Sequence, residues 1–124
     1  MTLAEDIGNF AAATTAATLP AGARAAVRRL IYDVAGLCVA ARGTDYVAAA
    51  RASAASAGNA TAIGHAGGFG PYDAALINGT AAHGEDYDDT FEGGPVHAGA
   101  VIVPAVLAAA EHRGLSGDAV VAGI

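Results

Sequence analysis

The spacing of apolar positions predicts a chain made almost entirely of helices. From Leu3 onward an apolar residue recurs every three or four positions behind a capping box at Thr2, which predicts a first helix from Leu3 to about Ala16. Pro20 begins a second helix, which carries a wide apolar stripe. We expect Gly43 to end that helix in a left-handed conformation.

The middle of the chain predicts shorter elements. Thr44 is placed to cap a third helix that continues through Ala57, although its face is nearly all alanine and serine. Residues 60–64, ATAIG, are partly β-branched and predict a short extended segment. Pro71 starts another helix, and Asn78-Gly79 predicts a kink or break within it.

The last third of the chain is strongly apolar. A helix is predicted from Ala98 to His112, with a kink or a late start at Pro104, because proline lacks the backbone N–H of the helical ladder. Ser116 then caps a final apolar helix that includes residues 119–124. We therefore expect an all-α protein with at most a very short extended segment near 60–64, and a chain, 1–124, that stops inside its helical domain.

Composition changes this picture in one respect. Hydrophobic residues make up 54% of the 124 residues, but alanine is the largest share, and only seven residues are aromatic. Because alanine buries little area, the core depends on close helix–helix contact or on burial against a partner.

Charge and cysteine content exclude several classes of function. The net charge of −6 and the absence of lysine argue against binding to nucleic acid or to an anionic membrane surface. No apolar run approaches the roughly 18 residues that span a bilayer. The single cysteine, Cys38, cannot form a disulfide framework, which favours a reducing cytoplasm.

Candidate chemistry is concentrated between Ala81 and Pro104. His83 and Asp86 stand three positions apart, so they share one face if this segment is helical. The turn Gly93-Gly94-Pro95 ends such a helix, and His97 then opens the next apolar run. This order predicts an imidazole at a helix N-terminus, facing back toward an acidic segment.

His97 in that position is suited to acid–base chemistry at carbon. The positive end of the helix dipole favours neutral imidazole, whereas a nearby carboxylate favours imidazolium. A histidine balanced between them accepts or donates a proton near neutral pH. The spacing is equally compatible with a simpler interpretation, in which His97 only caps a helix and the acids form a solvated loop.

Two other motifs suggest different chemistry. The glycine-rich loop from Gly64 to Pro71 contains no phosphate-binding signature, so we predict no cofactor there and interpret His65 as a loop residue. The run Asp88-Asp89-Thr90-Phe91-Glu92 fits the pattern DDxxE, which binds Mg²⁺ and diphosphate when it lies on a helix. The basic diphosphate contacts and the aromatic cavity of such enzymes are missing near it.

Together these motifs resemble the MmgE/PrpD family, which includes 2-methylcitrate dehydratase, cis-aconitate decarboxylase and iminodisuccinate epimerase. The resemblance spans essentially the whole chain. It is carried by Asn78-Gly79, Ala82-His83, Asp86-Tyr87-Asp88-Asp89-Thr90, His97 and Val103-Pro104-Ala105. Two departures are Ala98-Gly99, where the family usually has Pro-Ser, and a slightly longer loop before His97.

The resemblance implies a helical N-terminal domain of a longer lyase or isomerase, usually a homodimer, that acts on small polycarboxylates without a metal or other cofactor. It implies that His97 transfers a proton at the substrate carbon, that Asp86 orients it or holds its charge, and that His83 lies beside them. The family draws further histidines and lysines from beyond residue 124, so we predict that this chain alone is inactive. The alternative is a non-catalytic helical module that docks to another subunit or to the missing C-terminal part.

Overall fold

The computed structural model describes residues 2–124, and in this range the chain forms six helices and one short strand. The all-α prediction is therefore confirmed. The elements are α1 (Leu3–Ala13), α2 (Ala21–Ala41), α3 (Asp45–Ala52), β1 (Ala57–Ala60), α4 (Pro71–His83), α5 (Ala98–Arg113) and α6 (Gly117–Gly123).

Local chemistry explains where most helices begin and end. Thr2 and Glu5 form the predicted capping box of α1, and the Ser116 hydroxyl accepts a hydrogen bond from the Ala119 N–H at the start of α6. Pro71 occupies the first turn of α4. At the far end of α5, Gly114 takes a left-handed conformation, which satisfies carbonyl groups that the last turn leaves free.

The core forms where α4 packs against α2, α3 and α5. Its largest fully buried side chains are few and of moderate size: Ile77, Val34, Val47, Val103, Asn78, Pro104 and Cys38. Alanines fill the remaining space. A Cβ on Gly79 of α4 would lie 3.2 Å from the carbonyl oxygen of Ala100 on α5, so these two helices approach closely. Close approach compensates for small side chains, as the composition predicted.

Asn78 stabilises the middle of α4 instead of breaking it. The helix runs without interruption from Pro71 to His83, so the predicted break at Asn78-Gly79 is wrong. The buried Asn78 side chain accepts a hydrogen bond from the Ile63 N–H at 2.8 Å and donates one to the Thr61 carbonyl at 2.8 Å. Both bonds tie the preceding loop to the helix, which explains an asparagine in a buried helical position.

Several other boundaries differ from the predictions. Helix α1 ends at Ala13, where the Thr14 hydroxyl binds the Phe10 carbonyl, and α3 ends at Ala52. The extended segment is residues 57–60, not 60–64, because Ala57 and Ala60 form isolated bridges with Phe69. Arg42 ends α2 in a right-handed conformation, and the backbone φ of Gly43 is not positive.

The segment around β1 is held by two carboxylates. Asp73 accepts hydrogen bonds from the Ala55 and Ser56 N–H groups and from the Ser56 hydroxyl. Glu111 accepts from the N–H of Thr61 at 2.6 Å and from its hydroxyl at 2.7 Å. These hydrogen bonds hold the segment around β1 in place, a role that neighbouring strands have in a sheet.

Helix α1 contributes no buried residue, and its apolar face is open to solvent. Leu3, Ile7 and Phe10 are all more than half exposed. Across residues 2–124, no helix combines the length and the apolar character that crossing a bilayer requires.

Candidate active site

Two histidines meet where α4 ends and α5 begins. His83 is the last residue of α4, and His97 is the N-cap of α5, as its place after the glycine turn predicted. Because the two helices pack closely, their ends lie side by side, and the two imidazole ring centroids are 4.9 Å apart. The rings are tilted by 59° and do not stack.

Asp88 lies between the two rings. Its carboxylate oxygens are 3.1 and 3.3 Å from His83 Nδ1, and Oδ1 is 3.3 Å from His97 Nδ1. The first contact has hydrogen-bond geometry. The second is close enough for charge attraction but not aligned for a hydrogen bond, and His97 Nδ1 is buried with no hydrogen-bond partner. The Asp88 side chain is itself fully buried, whereas that of His83 is about half exposed at 54%.

Asp86 approaches the other nitrogen of His97. Its Oδ1 is 3.7 Å from His97 Nε2, and its side chain is 78% exposed. Asp86 is the one non-glycine residue among 2–124 with a positive φ, 56°, and its N–H donates to the His83 carbonyl at 2.9 Å. This left-handed turn reverses the chain directly after α4 and sends the carboxylate back toward His97.

The segment between the helices is a loop, so the suggestion that His83 and Asp86 share a helical face is wrong. The loop folds on itself through a bridge in which the Phe91 N–H donates to the Val96 carbonyl at 3.0 Å. His83 and Asp86 nevertheless stay close, because the turn that ends α4 keeps them adjacent.

Asp89 fixes the loop to the start of α5. Its Oδ1 accepts a hydrogen bond from the Gly99 N–H at 2.9 Å, where a carboxylate is also favoured by the helix dipole. A Cβ on Gly99 would overlap the Asp89 carboxylate and would lie 2.8 Å from Leu30 Cδ1. Because Gly99 has no side chain, it allows this contact, two residues from His97.

An open cavity of about 1110 Å³ lies beside the two histidines. Its walls come from α4, α5 and the loop and are mostly apolar, with Leu76, Val101 and Ile102 among them. Tyr46 of α3 closes one side, and its hydroxyl donates to Glu85 Oε1 at 2.8 Å. That hydrogen bond raises the pKa of Tyr46, because it stabilises the protonated phenol.

The structure thus brings together the three predicted residues, His83, Asp86 and His97, and adds Asp88, which the sequence reasoning did not select. One ligand atom from each of these four residues lies within 4.8 Å of those of the others, a set that could hold a metal ion. The alternation Asp86–Asp88 in the sequence was the available signal. In the sequence analysis Asp88 belongs to the DDxxE pattern, and Asp86 is the partner of His97.

The DDxxE interpretation requires carboxylates on one helical face, and the structure does not provide it. Asp88 faces the histidines, Asp89 binds the Gly99 N–H, and Glu92 is exposed in the loop. The three carboxylates therefore have separate environments and do not form one magnesium-binding face.

His65 lies in the glycine-rich loop, as predicted, and away from the site. Its Nε2 is buried without a hydrogen-bond partner. Burial, with a smaller contribution from Arg51 and Arg42, lowers the pKa of His65 below its ordinary value.

Comparison with known proteins gives one result, and it agrees with the resemblance in the sequence. The family model of the MmgE/PrpD N-terminal domain matches residues 5–124, nearly the whole chain. No curated protein and no solved structure matches it. The chain therefore belongs to the MmgE/PrpD family and corresponds to its N-terminal domain.

Proposed function

We propose that this chain supplies the proton-transferring half of the active site of a metal-independent lyase or isomerase that acts on small polycarboxylates, such as 2-methylcitrate. The observation that carries the proposal is the approach of Asp86 to His97 Nε2 at 3.7 Å, at the edge of a cavity of about 1110 Å³. A carboxylate beside an imidazole at the mouth of a ligand-sized cavity is suited to general acid–base catalysis.

In the dehydratase direction, neutral His97 accepts a proton at Nε2 from a carbon next to a substrate carboxylate. The electron pair of the broken C–H bond forms a C=C bond, and the hydroxyl group on the neighbouring carbon leaves as water with a proton from His83. Asp86 and Asp88 stabilise the imidazolium that forms on His97. In a decarboxylase the same His97 instead returns a proton to carbon after CO₂ has left.

The charges around the cavity support the proposal that residues from outside this chain complete the active site. A polycarboxylate needs cationic partners, yet neither lysine nor arginine lines the cavity. Three of the residues that line it, Tyr46, His97 and His83, are in contact with the carboxylates of Glu85, Asp86 and Asp88. We therefore propose that the remaining cationic groups come from outside residues 1–124, and that this chain alone does not turn over substrate.

The exposed apolar face of α1 supports the proposal that the chain packs against a partner. Leu3, Ile7 and Phe10 are 76%, 59% and 73% exposed. We propose that they pack against a second copy of the chain or against a C-terminal part of the same protein, in a reducing cytoplasm where Cys38 stays a free thiol. The same face is what a non-catalytic helical interaction module would use, and this is the second candidate function.

The test is turnover of 2-methylcitrate, cis-aconitate and iminodisuccinate, followed by NMR. The protein is produced both as residues 1–124 and from the natural reading frame that contains them. We expect activity only from a reading frame that continues with lysines and histidines, and we expect His97→Gln to lower it by about 10²–10⁴-fold. His112→Gln, at the exposed end of α5, is the matched control.

Two results would contradict the proposal. Turnover by residues 1–124 alone would show that the site is complete without further cationic groups. An active longer protein that keeps full activity with His97→Gln would remove His97 from the chemistry. If no acid is turned over by either form, the interaction module is favoured, and sedimentation shows whether α1 mediates association by comparing the wild type with Phe10→Ser.

A further inference from the structure

We infer that His83, Asp86, Asp88 and His97 form a binding site for a divalent transition-metal ion, with Zn²⁺ as the best-fitting probe. We call these four residues the His–Asp cluster. The inference does not depend on the reaction proposed above, because it concerns binding of the metal alone.

The distances within the His–Asp cluster match those between ligands of one metal ion. Bonds of about 2.0–2.1 Å in a tetrahedral zinc site place neighbouring ligand atoms about 3.3–3.4 Å apart. One oxygen of Asp88, Oδ1, lies 3.3 Å from His83 Nδ1 and 3.3 Å from His97 Nδ1. Asp88 of the loop, with His83 at the end of α4 and His97 at the start of α5, therefore already forms two edges of a coordination polyhedron.

The fourth residue needs a small movement. The set as a whole spans up to 4.8 Å between ligand atoms, which is wider than a tetrahedral edge. Asp86 is the member able to close this gap, because its side chain is 78% exposed and is not packed. The metal ion would then have four ligands. Three are Asp88, His83 and His97, and the fourth is Asp86 or water.

The donor set selects the class of metal. Two imidazole nitrogens with two carboxylate oxygens suit Zn²⁺ and its neighbours in the transition series, whereas Mg²⁺ and Ca²⁺ prefer oxygen ligands alone. The site therefore differs from the diphosphate-linked magnesium site that the DDxxE pattern suggested.

Unsatisfied polar atoms give an independent indication of a ligand. His97 Nδ1 is buried and has no hydrogen-bond partner in the described chain. Asp88 is buried too, and its one hydrogen-bond partner there is the imidazole of His83. A cation placed between them would bind the nitrogen lone pair and neutralise the buried carboxylate, which removes both costs.

Metal binding would compete with proton transfer. When the metal binds the lone pair of His97 Nδ1, the neutral imidazole carries its proton on Nε2, so Nε2 cannot accept the proton that the proposed reaction transfers. Zn²⁺ would consequently inhibit an enzyme built on this domain.

The test is titration of the 124-residue chain with Zn²⁺ by calorimetry, and with Co²⁺ by visible absorption, which becomes intense when Co²⁺ is four-coordinate. We expect one ion per chain. Loss of an outer-shell group alone costs metal sites about 10–100-fold in affinity, so His83→Ala and Asp88→Asn should each weaken binding by at least about tenfold.

His112→Ala is the matched control, since His112 is an exposed histidine at the other end of α5 and should leave affinity unchanged. Circular dichroism establishes that each variant is folded. If Asp88→Asn fails to fold, His83→Ala decides the question, because His83 is half exposed and its loss leaves no buried cavity. No zinc binding by the folded wild type, or equal binding by wild type and His83→Ala, would overturn the site and leave the proton-transfer proposal untouched.

Discussion

Two groups of polar side chains in this protein are used in opposite ways. Asn78, Asp73 and Glu111 direct their hydrogen bonds mainly to the backbone of residues 55–63, and we call them the backbone clamp. In the His–Asp cluster, the buried Asp88 instead faces two imidazoles, and His97 Nδ1 has no hydrogen-bond partner.

The difference separates polar groups that hold the fold from polar groups that are free for chemistry. The clamp directs its hydrogen bonds to backbone and hydroxyl groups, and those of the buried Asn78 pair groups that are partly shielded from water, so the loss of Asn78 costs stability. The His–Asp cluster satisfies little of the backbone. Its members can exchange protons or bind a ligand without unfolding the chain.

The largest expected effect is on the clamp. Asn78→Ala leaves the Ile63 N–H and the Thr61 carbonyl without partners and should lower the free energy of unfolding by about 2–4 kcal/mol, measured by urea denaturation. Asn59→Ala is the control: this exposed residue donates one hydrogen bond, to the Glu111 carbonyl, and should cost less than about 1 kcal/mol. Equal losses in the two variants would contradict a special role for the buried amide.

The next effect tests the His–Asp cluster. Asp88→Asn keeps the volume of the side chain and removes a buried charge that no backbone N–H stabilises, so the free energy of unfolding should change by less than about 1 kcal/mol. Denaturation under the conditions used for Asn78→Ala gives the comparison. A loss as large as that of Asn78→Ala would show that Asp88 belongs with the groups that hold the fold.

The clamp should also confer an acid-dependent stability. Hydrogen bonds from the Ser56 hydroxyl and N–H, together with the Ala55 N–H, lower the pKa of Asp73 in the folded state. The unfolded chain therefore takes up the proton first, so the stabilisation is present above about pH 4 and is lost as the pH falls through the folded-state pKa. Asp73→Asn should flatten this part of the stability profile, and an unchanged acid limb would contradict the assignment.

A smaller effect is expected at His65. Burial lowers its pKa, so below about pH 6.5 the unfolded chain binds a proton that the folded chain resists, and stability falls as the pH decreases. His65→Gln should reduce the difference in the free energy of unfolding between about pH 7.5 and pH 5. His112→Gln, on an exposed residue, should leave that difference as in the wild type.

Local signals were sufficient for much of the fold. The caps at Thr2 and Ser116 and Pro71 at the start of α4 each act within one or two turns, and the sequence located all three. The left-handed helix end was expected at Gly43 and is found instead at Gly114. Interruptions of a helix were less predictable from nearby residues. Asn78-Gly79 reads as a turn, but the amide of Asn78 has its partners at Thr61 and Ile63, 17 and 15 residues away.

The candidate site also has some features that nearby residues predict and others that they do not. His83, Asp86 and His97 could be selected from spacing and family resemblance, because the turn that joins them is short. Asp88 could not be distinguished from Asp89, since adjacent carboxylates look equivalent in a sequence. In the structure one is buried between two imidazoles and the other binds the Gly99 N–H.

The amino-acid sequence by itself determined the helical class and the family and predicted that His97 lies near Asp86, because periodicity, caps and motifs depend on nearby residues. Only the tertiary structure decided which carboxylate is buried and where β1 lies, and it showed that α4 continues through Asn78. The physical reason is that the contact of Asp88 with His97, the bridges from β1 to Phe69 and the hydrogen bonds of Asn78 join parts of the chain that are distant in sequence.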